Sequence, residues 1–222
     1  MNRNLTVLFA VLLGSAALLV SGCSASLDEG PSKVYVHVPP SLPDTIYDHL
    51  QEGDIIMRKG NGPLSFHIMN ATKENYSHCG IIVKHEGKWS VIHSMGGSVS
   101  KDEDDGMQMA PLENFVKHAA DSMLFICRAE FQDSIGEKIK ERAYYYLEEN
   151  TPFDHSFNLY DKSEIYCSEL IFIILRDITG SNQMRIRKQH KSYILLFETF
   201  FDQSKYKRIF HLKDPEPMSA MN

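Results

Sequence analysis

The chain predicts an α+β fold, and three observations carry that prediction. A candidate hairpin joins two strand-like stretches, Tyr76 to Val83 and Trp89 to Ser94, across a Glu86-Gly87 turn. An amphipathic helix pattern runs from Asp133 to Asn150, with Ile135, Ile139, Ala143 and Leu147 on one face. A second helix pattern opens at Cys167 and continues as the apolar run Leu170 to Leu175, too unbroken for a surface helix. Helices and strands are intermixed along the chain and a hairpin is present, which is the α+β arrangement.

The other elements follow from periodicity and breakers. Gly53-Asp54-Ile55-Ile56-Met57-Arg58 predicts a short strand, and Leu64 to Lys73 a short helix after the Gly62-Pro63 break. Beyond the hairpin, Lys101 to Gly106 is an acidic loop; a solvated loop is a better reading of Asp102 to Asp105 than a gate over a cleft. Leu112 to Ala120 predicts a helix and Ser122 to Ala129 a buried strand. After Thr151-Pro152 comes a loop with a strand at Phe157 to Tyr160, then the Cys167 helix; Tyr206 to Leu212 closes the sheet.

The first residues are an address rather than part of the fold. Arg3 supplies a positive start, and the apolar run from Leu5 to Val20 is shorter than a bilayer span. It ends in Leu19-Val20-Ser21-Gly22-Cys23, which resembles the bacterial lipobox, where cleavage precedes a cysteine that receives diacylglycerol. Residues 1–22 are therefore expected to be a lipoprotein signal peptide, with Cys23 the lipidation site. Residues 23–43 read as a tether rich in serine and proline, and 44–213 as the globular domain. Residues 214–222 form a tail. Within the tether, Lys33 to Val38 alternates like a strand but runs into Pro39-Pro40, which confines it to an edge.

Charge narrows the partners. The net charge of −6 becomes −7 once Arg3 leaves with the signal, which carries no acidic residue. Lys and Arg are scattered apart from Arg185, Arg187, Lys188 and Lys191, a group that suits a solvated loop. No nucleic-acid partner is expected. The expected location is the bacterial cell envelope, lipid-anchored and exported, with the domain in water at the periplasmic or outer face of a membrane. With Cys23 acylated, Cys79, Cys127 and Cys167 remain, an odd number that leaves at least one free thiol. No CxxC pair points to a structural metal site. Nothing in the pattern indicates an oligomeric state.

Cys167 is the focus of the chemistry. It stands where the polar stretch Asp161 to Glu164 gives way to the apolar helix, so it feels that helix's unpaired N–H groups and positive dipole end. Both favour thiolate, the nucleophilic form. Such a nucleophile needs a base, and histidine is the usual one. His78 begins the first hairpin strand, beside Gly80, and His93 ends the second, before Gly96-Gly97. The turn puts them at the same end of two antiparallel strands, as cross-strand or diagonal neighbours. One then acts as base and the other orients it. Cys79 alternates to the opposite face from His78 and is expected in the core, as is Cys127. Glu169 reads as a first-turn acid favouring the helix dipole.

The ordered set Gly53-Asp54-Ile55-Ile56, Ser77-His78-Cys79-Gly80-Ile81, Val91-Ile92-His93 and Tyr166-Cys167-Ser168-Glu169-Leu170 resembles the permuted papain-like cysteine hydrolases. The closest group is the YiiX/YebB-like branch of the NlpC-type superfamily. Lecithin retinol acyltransferase-like enzymes are more distantly similar. In unpermuted members the cysteine precedes the histidine; here it follows. The resemblance covers about Gln51 to Thr179. It implies a circularly permuted papain-like, NlpC-type fold in which an antiparallel sheet packs against the helix carrying the nucleophile. It also implies Cys167 as nucleophile, His78 as base and His93 as third polar residue. Tyr166 would assist the oxyanion with the backbone N–H of Cys167. No cofactor is implied.

The expected function is a cell-envelope cysteine hydrolase that cleaves an amide, in a peptide or an acyl-amide substrate, through an acyl-enzyme. Alternatives are a lipid-directed acyl hydrolase or acyltransferase on the same site, a metal-binding protein using His78, His93 and Cys167, and an inactive substrate-binding lipoprotein. His67 on the short helix is a further histidine within range of a cleft.

Overall fold

Six strands form one antiparallel sheet: β1 (Ile55–Arg58), β2 (His78–His85), β3 (Lys88–Met95), β4 (Gly106–Pro111), β5 (Leu124–Ala129) and β8 (Tyr206–His211). Their spatial order is β4-β3-β2-β1-β5-β8. The structure, a computed structural model, describes residues 39–97, 105–159, 161, 163–189 and 192–212. The signal peptide, Cys23, the Lys33–Val38 strand, the acidic residues 102–104 and the tail from 214 lie outside the described residues.

Both faces of the sheet are covered, which explains why its strands are apolar along their length rather than alternating with polar residues. Ile55 and Met57 of β1, Cys79, Ile81 and Val83 of β2, and Phe125 and Cys127 of β5 share one core. That core includes α4 (Ile135–Glu148) and α5 (Cys167–Thr179). The intervening residues Ile56, Ile82, Leu124 and Ile126 face a second core with Leu112, Phe115 and Val116 of α3 (Leu112–Lys117). The four-residue α1 (Asp44–Tyr47) packs there through Ile46 and Tyr47. Helix α2 (Pro63–Thr72) starts with proline in its first turn, where a missing N–H costs nothing.

The expected α+β class and the hairpin are present, the turn at Glu86-Gly87 included. Two expectations fail. Phe157 to Tyr160 is not a strand among its described residues: the buried Asp154 carboxylate accepts from Ser156 N–H, Ser156 Oγ and Asn158 N–H at 2.6–2.7 Å, closing the segment into turns. The basic group at 185–191 is not a plain loop. Arg187 and Lys188 lie on β6 (Ile186–Gln189), which pairs with β7 (Ser192–Leu195), and Arg185 directly precedes it; Lys191 lies outside the described residues. Strand β4 and helix α1 are additions.

Helix α5 is what the remaining structure positions. Nine successive residues from Cys167 to Leu175 are buried, and Gly180 ends the helix in the left-handed conformation at φ 70°, its N–H donating to Arg176 O. Its start is pinned from two sides. Ser94 at the end of β3 donates its hydroxyl to Ile165 O at 2.5 Å, and Ile165 N–H donates to Pro152 O at 2.9 Å. The cysteine at the first helical position is therefore referenced to the hairpin that carries the histidines.

Candidate active site

The two histidines meet as diagonal neighbours. Ile81 pairs with Ile92, which sets Gly80 opposite His93 and leaves His78 one diagonal step away. A β-carbon on Gly80 would sit 3.0 Å from His93 Cβ and 2.9 Å from Ile92 O, so only glycine leaves the His93 ring its place. His78 Nε2 lies 3.0 Å from His93 Nδ1, a hydrogen bond between buried rings. Phe115 of α3 closes this pair from outside, stacked on His78 at 5.3 Å and edge-on to His93 at 5.5 Å.

Arg58, at the end of β1, completes the pocket wall. It lies over the Phe115 ring at 4.4 Å and donates from Nη1 to Phe115 O at 2.8 Å. Its charge and the burial of the rings act in the same direction. Burial first, then Arg58 and His93, hold the His78 imidazolium well below its usual range; burial and Arg58 push His93 down to about 3. Both rings are neutral at neutral pH. With Nε2 engaged by His93, Nδ1 is the His78 nitrogen left for a reacting group. Among the described residues His93 Nε2 is buried without a partner, a cost that the pairing at Nδ1 must outweigh.

His78 and Cys167 line one cavity of about 140 Å³, together with Arg58, Ser65, Ser77 and His118. Cys167 also opens onto a second cavity of about 540 Å³, walled by Ile68, Phe157, Tyr166, Tyr193, Ile194 and Leu195. His67 of α2 borders this second cavity rather than the first. Tyr166 packs on Phe157 at 5.2 Å, and burial keeps its hydroxyl protonated.

The sulfur sits among donors. Hydrogen bonds from the Cys79 thiol, then from the backbone N–H groups of Cys79, Ser168 and Cys167, lower the Cys167 pKa against the opposing effect of burial. The core placement expected for Cys79 is correct, at 0 % exposure. Cys127 is buried in the same core, as expected. Glu169 departs from its expected role: burial pushes its carboxyl up to about 8, so at neutral pH it is mostly the uncharged acid. It accepts from Tyr166 N–H at 3.4 Å and caps the helix start without bringing a negative charge beside the sulfur.

The structure thus brings Cys167, His78, His93 and Tyr166 to one place. Arg58, Phe115, Ser94 and Cys79 belong to the same surroundings and were not foreseen. Arg58 had a signal in the sequence, since it is the lone charge closing an apolar strand; Phe115 and Ser94 had none. Among the described residues no three His, Cys, Asp or Glu side chains group as a metal site.

Comparison with known proteins bears on the family and the fold. Residues 49–205 match the family described as permuted papain-like amidase enzymes, YaeF/YiiX, C92 family. The chain is 29% identical over 143 residues to the uncharacterized protein YiiX of Escherichia coli K12, a match covering 64% of this chain and 63% of that protein. The crystal structure of the metalloprotein yiiX from Escherichia coli O157:H7 superposes with a TM-score of 0.60. That alignment has 20% identity and covers 72% of this chain and 97% of the other, which is a likeness of fold.

Proposed function

The chain belongs to the C92 family of permuted papain-like amidases, cysteine hydrolases of amide bonds, and on that footing we propose that it cleaves an amide of the bacterial cell envelope through an acyl-enzyme on Cys167. The observation that carries the proposal is the cavity shared by Cys167 and His78, with His93 hydrogen-bonded behind His78. The thiol gives its proton to His78 Nδ1 as the sulfur attacks the carbonyl carbon. His93 orients the base by accepting His78 Nε2–H, which holds the tautomer with a free Nδ1 lone pair. The oxyanion is met by the Cys167 backbone N–H and the Tyr166 hydroxyl. As the C–N bond breaks, His78 returns the proton to the departing amine. Water then loses a proton to His78 and attacks the thioester, releasing the acid and restoring the thiol.

Two cavities meeting at the sulfur suit a substrate with groups on both sides of the scissile bond, as in a peptide or an acyl-amide. The lipobox at Cys23 would keep the enzyme near such envelope substrates. The solved Escherichia coli protein is described as a metalloprotein. Here the described residues do not gather a ligand set, and His78 and His93 bond to each other instead.

Turnover of envelope peptides and acyl-amides by the full-length protein tests the reading. Cys167→Ser should cost about 10³-fold or more in kcat, and His78→Ala about 10²–10⁴-fold. Undiminished turnover by Cys167→Ser would exclude the thiol mechanism. A wild-type protein that binds these amides without cleaving them would be an inactive binding lipoprotein.

A further inference from the structure

We propose that the larger cavity beside Cys167 is the acyl subsite and takes an apolar acyl chain, with the amine half of the substrate in the smaller cavity on the His78 side. The inference deepens the reading of Cys167 as the acylated nucleophile and rests on it.

The direction follows from the tetrahedral intermediate. Its carbon carries Cys167 Sγ, the oxyanion, the leaving nitrogen and the acyl carbon. The nitrogen must lie within reach of His78, which returns its proton. His78 borders the smaller cavity, of about 140 Å³, and not the larger. The oxygen turns to the Cys167 N–H and the Tyr166 hydroxyl. The acyl carbon diverges from the nitrogen and is left with the cavity of about 540 Å³. Among the described residues Cys167, Ile68 and Phe157 alone border both spaces, so the sulfur stands where they meet, with two apolar side chains beside it. When the C–N bond breaks, the thioester keeps the acyl chain in the larger cavity. The amine departs through the smaller one with the proton from His78.

The lining fits an apolar chain. No Asp, Glu, Lys or Arg stands among the described residues that line the larger cavity. Its polar residues His67, Asn70, Ser156 and Gln189 are exposed and therefore belong to the mouth. Tyr166 and Ser168 stand at the start of α5, where the carbonyl reacts. Most of the remaining lining is apolar, with Ile68 and Ala71 from α2 and Ile194 and Leu195 from β7. The Thr72 hydroxyl on the α2 wall already donates to Ile68 O at 2.9 Å. A peptide in the acyl position would bring N–H and C=O groups that such walls leave unpaired, each at a cost, whereas an alkyl chain brings none. The two walls are tied by bonds of their own, from Arg187 to Ala71 O and from the Phe197 and Glu198 N–H groups to Glu74. The smaller cavity differs in kind: Arg58, Ser65, Ser77 and His118 line it, which suits a compact polar amine.

Two series on the full-length protein test this. The first is kcat/KM for N-acylglycines from acetyl to octanoyl. The second is labelling of Cys167 by alkyl chloromethyl ketones of matching chain lengths, read by peptide mass, which needs no turnover. Each added methylene should raise both rates about fourfold until the cavity is filled. An adipoyl group, which ends in a carboxylate, should fall more than about tenfold below hexanoyl. Ile194→Asp should lower the octanoyl-to-acetyl ratio about tenfold, and Ala71→Leu, which only fills space, should lower it too. The ratio compares two substrates on one sample, so a partly folded variant does not imitate the effect. Rates that do not depend on chain length overturn the proposal. So does faster cleavage of N-acetyl-alanyl-glycine at its Ala-Gly bond than of hexanoylglycine. Amides cleaved at such flat rates would leave the hydrolase reading standing without the subsite. Length-dependent labelling of Cys167 in a protein that cleaves no amide would end the hydrolase reading and leave the cavity as a chain-binding site.

Discussion

His78, the base in the proposed reaction, is enclosed rather than exposed. Its surroundings favour the neutral ring. The sign of the pH dependence follows. Protonating His78 abolishes the base, and this happens only well below 6.5. Ionising Cys167 removes the proton needed by the leaving amine, and this happens below the ordinary thiol value of 9.0. The kcat/KM profile should therefore stay level through pH 6.5 and fall on the alkaline side below 9. Stopped-assay rates across that range check it; a loss centred near 6.5 would mean that His78 is not so enclosed. At this scale the sequence was informative about Cys167, His78 and His93, because strand alternation and turn position determine where side chains point. Cys79 was placed correctly, in the core on the face opposite His78.

At the scale of elements, helix α5 and the β2–β3 hairpin were legible because each carries its own signal, an unbroken apolar run and a turn between alternating stretches. The β6–β7 hairpin was not. Its Arg and Lys residues mask the strand pattern, and its stability comes from a distant part of the chain. Glu74, just beyond α2, accepts from Phe197 N–H at 2.9 Å and Glu198 N–H at 2.5 Å, and Arg187 donates to Ala71 O. These bonds dock the hairpin against α2, and both then wall the larger cavity beside Cys167. Glu74→Ala should cost about 1–3 kcal/mol of stability, the range for leaving buried donors without their acceptor. Amide exchange across 186–199 should speed up more than exchange across β1 or β5. Equal protection in the variant would show that the hairpin is held by packing alone.

For the whole molecule, the sheet matters because it is covered on both faces. That arrangement lets a helix on one side present Cys167 and a helix on the other side enclose His78, with the strand ends between them. The α+β class could be read from element types, but strand order could not, since β1 pairs with β2 and β5 across long separations. On the proposed reading the leader would add a membrane tether. Cys23→Ser should move the protein from the membrane fraction to the soluble fraction and abolish labelling by radioactive palmitate; membrane retention with unchanged labelling would exclude Cys23 as the anchor.

The central claim is that amide cleavage passes through a thioester on Cys167. Rapid acid quench of the working enzyme followed by intact and peptide mass measurement tests it most directly. The account predicts an acyl adduct on the peptide containing Cys167, absent in Cys167→Ser and removed by hydroxylamine. Steady turnover with Cys167 unmodified throughout, or an adduct on another residue, would contradict it.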